Sequence, residues 1–307
     1  TVNFSTKKFS WNTTLTLSHN KNSVKALTGE AVQLYEARFG FNQNTHRIAV
    51  GEPLGQFYGY ITEGLYQVDD FNYDASTQTY TLKDGIPYHG DKGRIRPGMW
   101  KFKNLAGDDN VIDENDKTVI GNAQPKFYGG LNNSFTYKGF DLSIFLTFSY
   151  GNEVLNATKL VTSKVGSLNY NALDVMNSSN RWMTINSDGQ KVTDPGELAA
   201  LNAGKTVAAY HDAQQGDNYI HSWAVEDASY LKLSNVTLGY TFPKNLIARV
   251  GLKNLRLYAT GNNLLTWTKY SGFDPEVSTM KSGLTPGVDF GAYPLSRSFI
   301  FGLNVAF

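Results

Sequence analysis

Strict two-residue alternation over stretches of ten or eleven residues is the pattern that most limits what this chain can become. Phe9, Trp11, Thr13, Leu15 and Leu17 alternate with Ser10, Asn12, Thr14, Thr16 and Ser18. Successive side chains of a strand point to opposite faces, so one face is apolar and the other polar. The dyad returns at Phe140, Leu142, Ile144, Leu146, Phe148 and Tyr150, which alternate with Asp141, Ser143, Phe145, Thr147 and Ser149. The preceding run 127–137 alternates more loosely, which marks Lys138-Gly139 as a tight hairpin turn. Further strands are expected at 55–62, 229–242, 255–268 and 298–307. Globular strands typically hold about five or six residues, whereas about nine to eleven suit a tilted strand crossing a bilayer. That length favours a barrel wall over a sandwich. Within 230–240, Leu231 and Leu233 fall on one face but Val236, Leu238 and Tyr240 on the other, which predicts a β-bulge or a change of environment.

A helical membrane span needs about eighteen or more consecutive apolar residues. Although 41% of the 307 residues are hydrophobic, every apolar stretch is soon interrupted by Ser, Thr, Asn or Asp. With 28 Lys and Arg against 27 Asp and Glu, nothing in the charge points to nucleic acid. The lack of cysteine removes thiolate chemistry and Cys-based zinc sites. Long polar stretches at 68–97, 157–222 and 274–294 separate the strands, with a short helix expected at 198–209. Loops of that length are normal on the outer face of outer-membrane barrels, where ligand or partner contacts sit.

The final strand places Phe299, Phe301, Leu303, Val305 and Phe307 on one face, opposite Ser298, Gly302, Asn304 and Ala306, with Ile300 the one large exception. An amphipathic strand ending on an aromatic residue resembles the assembly signal of outer-membrane barrels. The alternative is the last strand of a soluble β-domain.

Several blocks resemble the SusC/RagA family of TonB-linked outer-membrane proteins. They are GEPLGQFYGY from Gly51 to Tyr60, RPG at 96–98 followed by KFK at 101–103, VID at 111–113, and IGNAQPKF from Ile120 to Phe127. EDASYLKLSNVTLGY from Glu226 to Tyr240 and LYATGNNLLTWTKYSGFDPE from Leu257 to Glu276 follow in family order. The resemblance implies an all-β, antiparallel transmembrane barrel of about twenty-two strands with long extracellular loops, in the bacterial outer membrane. It also implies a SusD-like surface lipoprotein, energy from TonB-ExbB-ExbD, an oligosaccharide or peptide ligand, and no required cofactor. Only about seven to nine strands are expected here, and no plug or TonB box. Residues 1–307 are thus expected to form the C-terminal segment of a larger barrel whose remaining strands lie on the same or another chain. An open sheet edge facing lipid would cost several kcal/mol per unsatisfied group.

One constellation is metal-like: Asp108, Asn110, Asp113 and Asp116, in a segment that resembles the family's EF-hand-type block. Calcium takes about six to eight oxygens. Asn104 and Ala106 stand where that block carries ligands, and an extra residue shifts its register, so a solvated acidic turn is the competing reading. The five histidines show no zinc spacing and are expected on surface loops. Trp267 and Tyr270, ending a spanning strand, suit an interfacial aromatic girdle. Tyr73, Tyr80, Tyr88, Tyr210 and Tyr219, inside long loops, are the candidate ligand contacts. No catalytic residue is assigned. Uptake of an oligomeric nutrient, glycan before peptide, is the expected function; the alternatives are a secreted carbohydrate-binding β-domain and a surface glycoside hydrolase.

Overall fold

The computed structural model describes residues 1–36, 43–107, 109–163, 171, 173–209, 219–279 and 282–307. Its main element is a seven-stranded sheet in which each strand pairs with the next in chain order. The strands are β1 (Val2–Ser5), β2 (Phe9–Ser18), β3 (Phe127–Tyr137), β4 (Phe140–Tyr150), β5 (Tyr230–Thr241), β6 (Asn254–Thr268) and β7 (Ser298–Ala306). Every pairing is antiparallel. This meander lacks the Greek-key return of a sandwich. The eleven residues of β4, rising about 3.3 Å each and tilted by about 45°, cover about 25 Å, the height of the apolar band of an outer-membrane barrel.

Register shows why the dyad pattern matters. Leu146 lies opposite Leu131 and Leu233, Leu142 opposite Phe135 and Leu238, and Ile144 opposite Val236. Leu257 and Ala259 face Leu303 and Phe301 on the last pair. One face of the sheet is therefore predominantly apolar across its long strands, with Thr13 and Asn133, paired by a 2.7 Å hydrogen bond, as polar exceptions. It is also bare: Leu15, Leu17 and Phe301 are 63%, 64% and 82% exposed, more apolar surface than a water-facing sheet carries. Rings collect at both ends of this face. Phe9, Tyr137, Phe140 and Tyr240 stand level at one end, and Phe127 and Tyr150 stack at 4.8 Å at the other. The opposite face is mostly a lattice of neutral polar groups, interrupted by the Asp141–Arg256 ion pair at 2.5 Å and by Lys232. Ser143 donates to Asn132 at 3.0 Å, Asn235 to Asn262 at 2.7 Å, and Asn262 to Ser298 at 3.0 Å.

The parity break in β5 is a bulge. Register slips between Leu233 and Asn235 against both neighbours, leaving Ser234 as the extra residue against β4, where its hydroxyl meets Thr147 at 2.6 Å. Leu231, Leu233, Val236, Leu238 and Tyr240 thereby all share the apolar face. The Lys138-Gly139 turn also forms as expected, with φ of 44° and 89°, the left-handed pair of a type I′ hairpin.

The connections alternate in length. Residues 6–8, 138–139 and 242–253 close one end, while 19–126, 151–229 and 269–297 all leave from the other. The segment expected as a wall strand at 55–62 instead gives Gln56–Gly59, which pairs with Asn44–Ala49 and Thr118–Asn122 in a separate sheet. The first connection therefore starts at 19 rather than 68. The helix expected at 198–209 is Pro195–Leu201, started by Asp194 accepting the Glu197 amide at 3.0 Å. No helix among the described residues is long and apolar enough to cross a membrane.

The long connections fold into one layer with its own cores. Phe57 from the first, Leu155, Leu160 and Ile220 from the second, and Val288 from the third form a single buried cluster. Backbone pairing stitches it further: Glu153–Asn156 lies antiparallel to Val225–Asp227 and parallel to Val288–Asp289. Gly59 of the FYGY block sits where a Cβ would meet the Ile220 carbonyl oxygen at 2.3 Å, so the block's glycine is set by close approach of two connections.

Candidate functional site

The layer is bolted to the polar face of the wall through residues of the two most recognisable sequence blocks. Lys232, on the polar face of β5, is buried. Its Nζ donates to Glu276 Oε2 and lies 3.6 Å from Asp274 Oδ1. The Tyr230 hydroxyl donates to Glu276 Oε1 at 2.6 Å. Tyr-Leu-Lys of one block and Asp-Pro-Glu of the other are thus a single ion cluster, closed across 44 residues of chain. Pairing and hydrogen bonding are what make a buried ammonium tolerable.

Next to it, Glu226 accepts the Ser271 amide and hydroxyl, both at 2.9 Å, and Lys159 Nζ at 3.0 Å. Burial works against its ionisation, but these donors hold the carboxyl below the usual range. Lys159 also lies 4.1 Å over the Trp223 ring. Tyr270, expected at the membrane interface, is buried in the layer instead, its hydroxyl donating to Asp289 Oδ2 at 2.5 Å. The chain leaves the wall at Thr268, and two residues suffice to turn Tyr270 inward. Trp267, 52% exposed opposite Leu231, keeps its place on the apolar face.

The candidate ligand tyrosines are half-buried. Tyr80 packs 4.9 Å from Tyr73 and edge-on to Phe71, and donates to the Thr193 carbonyl at 2.7 Å. Burial pushes its hydroxyl up to about 12. Tyr88 packs against the Tyr66 and Phe71 cluster, and Tyr219 meets Tyr60 and Phe102 edge-on in the neighbouring one. Tyr210 lies outside the described residues, as does Asp108 of the acidic segment.

Asp116 is fully buried, with Oδ1 accepting the Leu105 and Ala106 amides at 2.6 and 2.9 Å and Oδ2 the Asp113 amide at 2.8 Å. Burial opposes its ionisation, yet these amides hold the carboxyl below its ordinary value. Asp113 caps Asn115, and Asn110 is exposed. Among the described residues no group of three or more His, Asp or Glu is arranged to hold a metal. The Asp116 carboxylate is thus closed on backbone amides of its own turn. Asp116→Ala is expected to leave the three amides of Leu105, Ala106 and Asp113 without their acceptor and lower layer stability by about 2 kcal/mol. Millimolar calcium is expected to leave the melting midpoint of the unsubstituted protein in place.

Three histidines expected on surface loops are buried: His46, His89 and His221. His46 accepts the Thr45 hydroxyl on Nδ1 at 2.8 Å and donates from Nε2 to the Pro286 carbonyl at 2.9 Å. Burial lowers its pKa to about 4, against the smaller opposing effect of that carbonyl. Burial, with help from Lys159 and His89, lowers His221 to about 3. Both therefore fold as neutral rings, while the unfolded chain binds protons from about pH 6.5 downward. Stability falls as pH drops through 6.5 and goes on falling to the folded values. For His46 the loss reaches on the order of 3 kcal/mol below pH 4. Hydrogen-exchange protection at Phe57 and Ile220 should drop between pH 7 and pH 4.5, and less so in His46→Gln.

No family model matches the chain. It is 33% identical to TonB-dependent receptor P3 of Formosa agariphila over 99% of this chain and 27% of that one. It is 31% identical to TonB-dependent receptor P39 of the same organism over 98% and 29%, and 27% identical to the TonB-dependent receptor SusC of Bacteroides thetaiotaomicron over 98% and 25%. The chain belongs to the SusC/RagA-like TonB-dependent receptors. It spans between a quarter and three tenths of the length of these curated relatives. The RagAB peptide importer in its open-open state shares the fold, with a TM-score of 0.66 at 19% identity, over all of this chain and 27% of that one. For a receptor of this family, the seven strands are barrel wall, the apolar face is the lipid face, and the polar face lines the lumen.

Proposed function

We infer that this chain forms part of the wall and extracellular layer of an outer-membrane importer, which takes up an oligomeric nutrient with energy from TonB-ExbB-ExbD. The observation that carries this is the one-sided architecture: an amphipathic wall whose three long connections all fold into a layer at one end. A SusD-like lipoprotein is the partner seated on that layer. A glycan fits the lumen better than a peptide. The lumenal side chains are predominantly neutral hydroxyls and amides, among them Asn132, Ser143, Thr237, Thr260 and Asn262. Such a surface exchanges hydrogen bonds with sugar hydroxyls and offers few partners for charged peptide ends. The partly accessible rings of Tyr73, Tyr80, Tyr88 and Tyr219 supply ligand contacts in the layer. In this reading the protein is a transporter, not an enzyme, and needs no cofactor. Extraction of the intact protein from outer membranes in mild detergent tests it. A stoichiometric surface lipoprotein and binding of neutral oligosaccharides support the reading, and recovery in the soluble fraction sinks it.

A further inference from the structure

A cavity of about 530 Å³ opens where the lumenal face of the wall meets the layer. That size lies within the range of small-molecule sites, roughly 300–1,000 Å³. Its wall side is formed by Tyr128, Thr147, Ser149 and Tyr230, and Glu153 and Glu276 enter from the layer. Tyr128 stands opposite Ser18 and Ser149 on the polar face, its side chain 44% exposed.

Both carboxylates are held in place by the protein. Glu153 accepts the Asn122 amide on Oε2 at 2.7 Å. Glu276 is held by the Tyr230 hydroxyl and by Lys232. An ionised carboxyl has about four acceptor positions, so each retains capacity for donors entering the cavity. Groups positioned in advance lose little freedom on binding. Fixed acceptors beside an exposed aromatic ring match a sugar, which carries hydroxyl donors on its rim and a less polar C–H face.

We propose that this cavity is a subsite for one ring of a neutral oligosaccharide passing from the layer into the lumen. Hydroxyls of the ring donate to Glu153 and Glu276 while its C–H face lies on Tyr128. The proposal rests on the import reading above and adds where, and by which residues, a glycan is held.

The test is calorimetric titration of the intact detergent-solubilised protein with cellohexaose, maltohexaose and xylohexaose. Tyr128→Ala and Glu153→Gln should each weaken, by tenfold or more, whichever sugar the unsubstituted protein takes. Glu153→Gln keeps an acceptor for the Asn122 amide, so its melting midpoint should stay unchanged. Tyr293→Ala, 92% exposed and outside the cavity, should bind as before. Unaltered affinity in both cavity variants overturns the subsite while leaving glycan import standing. Failure of the unsubstituted protein to bind any of the sugars removes the glycan reading and the subsite together. Binding of a hexapeptide with a free amino terminus, lost in Glu153→Gln, would make the cavity an ammonium site and likewise overturn the proposal.

Discussion

Lys232→Met is expected to release the connection 269–297 from the wall. The substitution removes a buried ammonium and leaves Asp274 and Glu276 facing each other without a counter-ion. Breaking one side of a buried pair costs on the order of 3 kcal/mol, chiefly because the partner charges lose their compensation. The wall should still assemble, since β5 keeps its backbone ladder on both sides. The expected readout is local: faster proteolysis within 269–297 and reduced amide protection around Val288, with a smaller change in the global melting midpoint. Glu276→Gln should be milder, because the amide carbonyl still accepts from Tyr230. In a double-mutant cycle the two changes should fall short of additivity by about 1 kcal/mol or more. Independent effects would mean that the cluster does not act as a unit.

A charge on the lipid face should act on assembly itself. Ile144→Arg places a guanidinium between Asn133 and Val236, midway along β4. Near the bilayer midplane that costs about 2–4 kcal/mol. Leu142→Arg and Leu146→Arg should behave alike. Ser143→Arg and Thr147→Arg, one residue away on the lumenal face, sacrifice a side-chain hydrogen bond and should still yield heat-modifiable, membrane-inserted protein. Equal loss on both faces, read from outer-membrane fractions, would refute the assignment of faces.

How far the fold could be read from the residues followed from where each feature gets its partners. The alternation of β4 was legible because a barrel wall sorts side chains residue by residue between lipid and lumen. Lys138-Gly139 was legible because the turn needs only its own two residues. The β5 bulge was visible as a parity break, since only one extra residue could return Val236 and Leu238 to the face of Leu233. The misreadings share one cause. Gln56–Gly59 has the pattern of a strand, but the pattern does not say which sheet it joins. Tyr270 lies three residues beyond Trp267, yet its environment is set by Asp289. The histidines looked superficial because Pro286 and Thr62, which hold His46 and His221, are remote in sequence. For the same reason the sequence presents Lys232 and Glu276 as members of two separate blocks and not as one contact.

If the import reading holds, the shared core of Phe57, Leu155, Ile220 and Val288 also bears on how such a receptor could change what it takes up. In an antibody, one hypervariable loop can be exchanged while the others stay, because each stands on the framework by itself. Here every long connection supplies part of the hydrophobic floor beneath the other two. Swapping a single one from a relative would leave the remaining pair packed against the wrong shape. New specificity therefore has to come either from substitutions on the outer surface of the layer or from the inheritance of all three connections together, as one cassette.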